Sequence, residues 1–152
     1  MIRYISHEHI DREAWDRCVR YSGNGLVYAL SWYLDICTPS WDALVMDDYQ
    51  AVMPLPNRKK YRLHYVYQPK FIQQLGVFSP GNTGASLTSK FLLALPYKFR
   101  YIDYSLNSLN HLPAGFTSTL IQARPNFELS LQAPYETLKG TYSVNTRRNL
   151  RK

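Results

Sequence analysis

Cysteine is scarce in this chain: Cys18 and Cys37 are the only two in 152 residues. Two scattered thiols make neither a disulfide framework nor a zinc site, so both are expected to be buried thiols in a reducing compartment. Long apolar runs are also missing. Nothing approaches the roughly 20 consecutive apolar residues of a membrane-spanning helix, and the first residues lack the charged-then-apolar layout of a signal peptide. The expectation is a cytoplasmic chain with no membrane span. Acidic charge is the third shortage, with 11 Asp and Glu against 18 Lys and Arg, a formal charge of +7 and a pI near 9.5. Such a balance favours anionic partners such as nucleic acid, phosphorylated metabolites or acidic membrane surfaces, although plain solubility explains it too.

The common catalytic signatures are absent. There is no Ser nucleophile elbow, P-loop or Rossmann glycine pattern. Neither cysteine has a base beside it by motif, as a nucleophile would need. His7 and His9 are two imidazoles without a nearby third ligand, a poor metal site, and His64 and His111 read as structural or surface residues. The glycine-bearing loop from Ser79 to Ser86 opens a helix and could cradle an anion, but an ordinary turn with a helix cap explains it equally.

What is present is a globular composition, 45% hydrophobic with 19% charged, rich enough in apolar surface to fold. A chain this long folds as one domain and buries roughly 70% of its unfolded surface. Thirteen tyrosines suit strands and half-buried cleft walls, where the ring packs and the hydroxyl finds a partner.

The periodicities order the elements. Residues 2–6 read as a strand. Asp11 caps a helix reaching Tyr21, with Ile10 and Trp15 placed for a hydrophobic staple, and Gly23 or Gly25 suits a left-handed C-cap. A second helix is expected over 31–37, capped by Ser31 and stopped by Pro39. Two strands, 41–46 and 50–53, form an antiparallel hairpin closed by Pro54 and Pro56, with Arg58-Lys59-Lys60 as a basic loop. Tyr61, Leu63, Tyr65 and Tyr67 then alternate with Arg62, His64, Val66 and Gln68, as a half-buried strand should. Residues 73–78 read as extended, and Ser86 or Thr88 caps a helix ending near Pro96. Further strands are expected over 97–106, 117–123 and 127–131, and Pro134 fits the first turn of a last helical segment. Hairpins mixed with helices give an α/β (α+β) fold class with a mixed, mostly antiparallel sheet.

The tail holds the densest positive charge, Lys139, Arg147, Arg148, Arg151 and Lys152. Such a cluster suits a helix C-terminus, and arginine also suits phosphate or carboxylate.

The tail from Tyr135-Glu-Thr-Leu-Lys-Gly-Thr-Tyr142 through Asn145-Thr-Arg-Arg-Asn-Leu-Arg-Lys152 resembles the segment that closes the first half of Fem-like transferases. Ser31-Trp32-Tyr33 after Gly25-Leu-Val-Tyr28 is similar to that family's early helix, and Gln73-Gln-Leu-Gly-Val-Phe78 to its glycine-containing strand. The resemblance covers most of the chain. It implies a GNAT-like domain over 1–152, the first of two tandem folds, with 134–152 as the connecting helical segment. It implies an N-acyltransferase or aminoacyltransferase whose acceptor-side half is incomplete without the second fold. The acceptor would be an anionic small molecule or a peptidoglycan precursor, and the donor an aminoacyl-tRNA or acyl-CoA, with no tightly bound cofactor. Trp32, Tyr33, Tyr67, Gln73 and Gln74 would line the cleft, and Arg147 and Arg148 would meet anionic groups. Catalysis would rest on orientation and oxyanion stabilisation. One departure is Ile36, where the bridge-forming enzymes carry a lysine, which argues against a muramyl-peptide acceptor. Val77-Phe78 after Gly76 departs from the pyrophosphate-binding run of a stand-alone acetyl-CoA enzyme. Two other readings stand beside this one: a non-enzymatic basic module binding nucleic acid through the basic tail and exposed tyrosines, and an interaction domain packing on a protein partner.

Overall fold

The computed structural model describes residues 1–81, 84–113, 121–127 and 130–150. They fall into two compact units, Met1–Phe116 and Thr117–Lys152.

The first unit begins with β1 (Ile2–Ile5) and a 3-10 turn at His7–His9, followed by α1 (Arg12–Tyr21). Asp11 caps α1 as expected, its Oδ1 accepting from the backbone N–H of Glu13 and Ala14, each at 3.0 Å. The helix ends without a left-handed glycine. Its C-cap is Ser22, extended at φ −74° and ψ 141°, whose hydroxyl donates to the Val19 carbonyl at 2.6 Å. Gly25 is required for space instead, since a Cβ there would lie 2.5 Å from the Val19 oxygen.

A second 3-10 turn, Val27–Ala29, leads to α2 (Ser31–Cys37). Leu30 takes the cap position. Ser31 sits inside the first turn, donating from its N–H and hydroxyl to the Asp16 carboxylate at 2.7 and 2.9 Å. The start of α2 is thus tied to α1. Thr38, before Pro39, is extended and ends the helix, as the clash with a following proline ring demands.

β2 (Trp41–Met46) and β3 (Ala51–Lys60) form the expected hairpin, turning on Asp47 and Tyr49 at φ 50° and 54°. β3 has 10 residues, well beyond the anticipated strand over 50–53. It runs through Pro54, Pro56 and the basic triplet, pairing Pro54 with Ala43 and Pro56 with Trp41. The N–H of Val52 points to Phe78 and that of Asn57 to Ser40, so alternation places the two missing proline N–H groups on the side away from β2. On that side the neighbouring strand is interrupted. β4 (Leu63–Val66) pairs with the end of β3, the chain departs over 67–74, and it returns at Phe78 to bridge Val52. Prolines cost little where no ladder bond is offered.

α3 (Ala85–Leu93) then crosses to β5 (Phe99–Ile102), which runs parallel to β4 with a register break between His64 and Tyr65. The N-cap of α3 is Gly84 without a side-chain cap bond; neither Ser86 nor Thr88 takes the position, and Thr88 is fully buried. The sheet order is β1-β2-β3-β4-β5, antiparallel except for the last pair. It is the mixed, mostly antiparallel sheet expected of an α+β fold.

Alternation divides the core between the two faces. Trp41, Ala43, Val45 and Val52 meet Trp15, Cys18 and Val19 of α1, Leu34 of α2 and Phe78. Leu44, Met53, Leu55 and Val66 meet Val77, Phe99 and Phe91 of α3. Each large side chain so buried contributes on the order of 1.5–3 kcal/mol. On β4 the buried side is the one that carries Val66. Val66 is buried, whereas Leu63 and Tyr61 lie in the open, Tyr61 at 89% exposure. Cys18 is buried as expected and Cys37 is half-buried.

The second unit holds α4 (Tyr135–Thr141) and α5 (Val144–Asn149), both within the stretch expected to be helical. Pro134 is the cap of α4 and lies just outside it. The strands expected over 117–123 and 127–131 fall partly outside the described residues, and 121–123, 127 and 130–131 are not in strands. Arg151 and Lys152 also lie outside the described residues. Among those described, no helix is long and apolar enough to cross a membrane.

Candidate functional site

Two surface features of the first unit gather the residues singled out above. The first is a shallow hollow of about 300 Å3 between the 67–74 excursion and the aromatic residues around α2, lined by Tyr28, Phe71, Ile72 and Gln73. Tyr33 is its inner support: its hydroxyl donates to the Phe71 carbonyl at 2.9 Å. Its ring meets Tyr28 edge-on at 5.6 Å and Trp32 at 5.5 Å between centroids. Burial, and then the neighbouring Cys37 thiol, push the Tyr33 hydroxyl above its ordinary pKa, so it stays a neutral donor. Trp32 and Phe71 stand exposed here, and Ile36 is exposed farther along α2. Three of the five expected cleft residues, Trp32, Tyr33 and Gln73, therefore come together. Gln74 is half-buried next to Gln73.

The helix that presents Trp32 and Tyr33 is held from below by Asp35. Its Oδ1 accepts from the fully buried Trp41 indole N–H at 2.9 Å, its Oδ2 accepts from Arg12, and His7 Nε2 lies 3.6 Å away. Burial pushes this carboxyl up, but the bonds from Arg12 and Trp41 and the positive charge of Arg12 outweigh burial and hold it below the usual carboxylate range. His7 packs edge-on against Trp41 at 5.2 Å, so its role here is packing around Asp35. Among the described residues, no group of three or more His, Cys, Asp or Glu is placed to hold a metal ion.

The extended segment ending the excursion is clamped by side chains. Asn110 accepts from the Val77 N–H at 2.6 Å and donates back to its carbonyl at 3.0 Å. Asn24 donates to that carbonyl at 2.9 Å, and Asn107 donates to the Leu75 carbonyl at 3.0 Å. Gly76 between them has φ +142°. No helix opens after Gly76, and the chain runs extended through Phe78.

The second feature lies at the far end of the sheet, on the side of α1 and α2. Tyr67, the fourth expected cleft residue, goes there. Its hydroxyl shares a hydrogen bond with Thr38 Oγ1 at 2.9 Å, and its ring lies 6.1 Å from that of Tyr65. Arg58 sits over Tyr67 at 4.5 Å from the ring centre. Beside them Lys60, Tyr61, Leu63, Tyr65 and Tyr101 line an open cavity of about 300 Å3. The period-2 run from Tyr61 to Tyr67 carried this signal, but alternation alone does not say which face is covered.

A third cluster was not visible in the sequence. Asp42, on the opposite face, accepts from the Tyr4 hydroxyl, from Asn57 Nδ2 at 2.8 Å and from the His7 N–H at 3.1 Å, with Lys98 Nζ 3.9 Å away. Burial and then the Asp42 contact push the Tyr4 hydroxyl up. These groups come from five separate elements and loops, and no local spacing announces them.

Arg147 and Arg148 belong to the second unit. Arg147 donates from Nε to the Tyr142 carbonyl at 3.0 Å and from its terminal nitrogen to the Gly140 carbonyl at 2.9 Å, which satisfies the end of α4. Arg148 is exposed in the last turn of α5. No protein-family model, curated protein or solved structure matches this chain.

Proposed function

We propose that the chain is the acceptor-side domain of a cytoplasmic Fem-like N-acyltransferase of the GNAT type, working with a second fold of the same kind. The observation that carries this reading is the sheet. It is mixed and mostly antiparallel, and its one parallel pair, β4 with β5, is joined through α3 and broken in register at His64 and Tyr65. A parallel neighbour requires such a crossover, and the resulting arrangement is compatible with the GNAT-type fold that the tail, Trp32 and the Gln73–Phe78 segment suggested. The hollow at Tyr28, Tyr33, Phe71 and Gln73 is the acceptor surface in this reading. Aromatic rings would hold the body of the acceptor, the Gln73 amide would orient it, and the aminoacyl-tRNA or acyl-CoA donor would be completed by the second fold. Ile36, exposed on α2, supplies no charge where the bridge-forming enzymes carry a lysine, so the acceptor in this reading is not a muramyl peptide.

Tryptophan fluorescence tests this reading, because Trp32 is exposed while Trp15 and Trp41 are buried. Titration with a panel of anionic primary amines, alongside a nucleotide-linked muramyl peptide, is expected to quench Trp32 saturably with at least one of the amines. Tyr33→Ala and Gln73→Ala should abolish the quenching. The isolated chain should show no turnover with either donor. Failure of every acceptor to bind, or full turnover by the chain alone, would overturn the proposal.

A further inference from the structure

We infer that the tyrosine-bearing end of the sheet is a binding platform for single-stranded nucleic acid, independent of the acyl-acceptor hollow. The register fixes which side chains share the face. Arg58 pairs with Tyr65, Lys60 with Leu63, and Tyr65 with Tyr101. Arg58, Lys60, Leu63, Tyr65 and Tyr101 therefore project from one side of three adjacent strands. Tyr61, held in the connecting turn at φ 50°, stands at the rim. This is the face that α1 and α2 cover farther along the sheet, and here β3 and β4 extend beyond them.

Two of these rings stand in the open, one in the turn and one on β5. Tyr61 is 89% and Tyr101 59% exposed, and together with Tyr65 they border a cavity of about 300 Å3. Open tyrosine faces side by side stack unpaired bases, and such stacking tolerates any sequence.

Charge selects the partner. Between Asp48 and Asp103 the sequence has no acidic residue, while the end of β3, its turn and β5 carry Arg58, Lys59, Lys60, Arg62 and Arg100. Among the described residues none of these five forms an ion pair, in contrast to Arg12, Arg17 and Lys98. Arg58 and Lys60 instead lie 4.5 and 5.6 Å from the centres of the Tyr67 and Tyr61 rings. Cations set beside stacking rings match the alternation of phosphate and base along a strand. A neutral glycan would use the rings and leave the cations idle. A duplex would use the cations and keep its bases stacked out of reach of the rings.

The test is fluorescence anisotropy of the full chain with labelled 12-nucleotide oligo(U) and oligo(dT), a 12-base-pair duplex, and vesicles containing phosphatidylserine. At least one single strand should bind more tightly than the duplex, and its affinity should fall with salt by about 0.7 log units per log salt for each phosphate contacted. Tyr101→Ala and Tyr61→Ala should each weaken binding roughly tenfold with the salt slope retained. Arg58→Gln and Lys60→Gln should each lower the slope by about 0.7. Tyr61 is almost wholly exposed, so its variant keeps the test decisive even if Tyr101→Ala perturbs the sheet. Preference for duplex, for vesicles, or indifference to both tyrosine variants would overturn the inference. None of these results bears on Trp32 quenching by an acyl acceptor, so the two proposals fail separately.

Discussion

At Gly76 both the backbone conformation and the surrounding side chains exclude a Cβ. Its φ of +142° is open to glycine, and a Cβ built there would stand 1.9 Å from Asn110 Oδ1 and 2.8 Å from Asn107 Nδ2. Those amides hold Val77 and Leu75, so they cannot retreat without giving up bonds. Gly76→Ala is therefore expected to cost about 3 kcal/mol or more, from backbone strain and displaced hydrogen bonds together, read as a lower urea midpoint. Asp35 sets a different kind of constraint. Asp35→Ala leaves the buried Trp41 indole N–H without its acceptor, at a cost of about 1–3 kcal/mol. Because the folded carboxyl titrates below its ordinary value, its contribution is complete above the unfolded pKa of about 4 and is lost as pH falls through the folded value. Urea titrations from pH 7 down to pH 2 should show a steeper acid limb in the native chain than in Asp35→Asn. Parallel limbs would refute the assignment.

At the scale of elements, β4 separates what periodicity determines from what it leaves open. The 2-residue period of Tyr61 to Tyr67 located the strand, because side chains must alternate across a pleated backbone. Which face is buried depends on what packs there. α3 covers Val66 through Phe91, while α1 and α2 stop short of Tyr65. Val66→Ala should accordingly cost about 2 kcal/mol, and Leu63→Ala, on the open face of the same strand, less than about 1 kcal/mol. Equal effects would mean that the faces are misassigned. The same logic explains β3. Two prolines and three cations read as a hairpin's end and a loop, yet the interruption of β4 over 67–74 removes the bonds those prolines would have broken. Helix ends were legible where the cap is local, as at Asp11. They were missed where the partner is distant, as with Ser31 on Asp16. The hollow at Tyr33 was half legible: Trp32 and Tyr33 are adjacent in sequence, but Phe71 reaches them only because the excursion folds back across α2.

At the scale of the whole molecule, the two units contribute unequally to folding. Both core clusters are built from residues between Ile2 and Tyr104, and the clamp on Leu75 and Val77 is completed at Asn110. Residues 121–127 and 130–150 contain no buried side chain. Ordering a residue costs on the order of 1–2 kcal/mol in backbone entropy, and exposed helices of six or seven residues recover little of that by burial. A chain ending at Pro113 should therefore unfold in one cooperative transition, with a Tm within about 4 °C of the full chain, equivalent to less than about 1 kcal/mol. A loss of cooperativity, or a fall of more than about 10 °C, would mean that residues beyond 113 complete the core. Once its folding is established by that transition, the shortened chain also separates two sources of nucleic-acid affinity. It lacks Lys139, Arg147 and Arg148 but keeps Arg58, Lys60 and the tyrosines. If the platform is the binding surface, the shortened chain should bind oligo(U) or oligo(dT) with affinity and salt slope close to those of the full chain, and Tyr61→Ala should weaken it by the same factor. If binding disappears with the tail while the Tm is unchanged, the basic helical segment is the nucleic-acid contact and the platform inference falls.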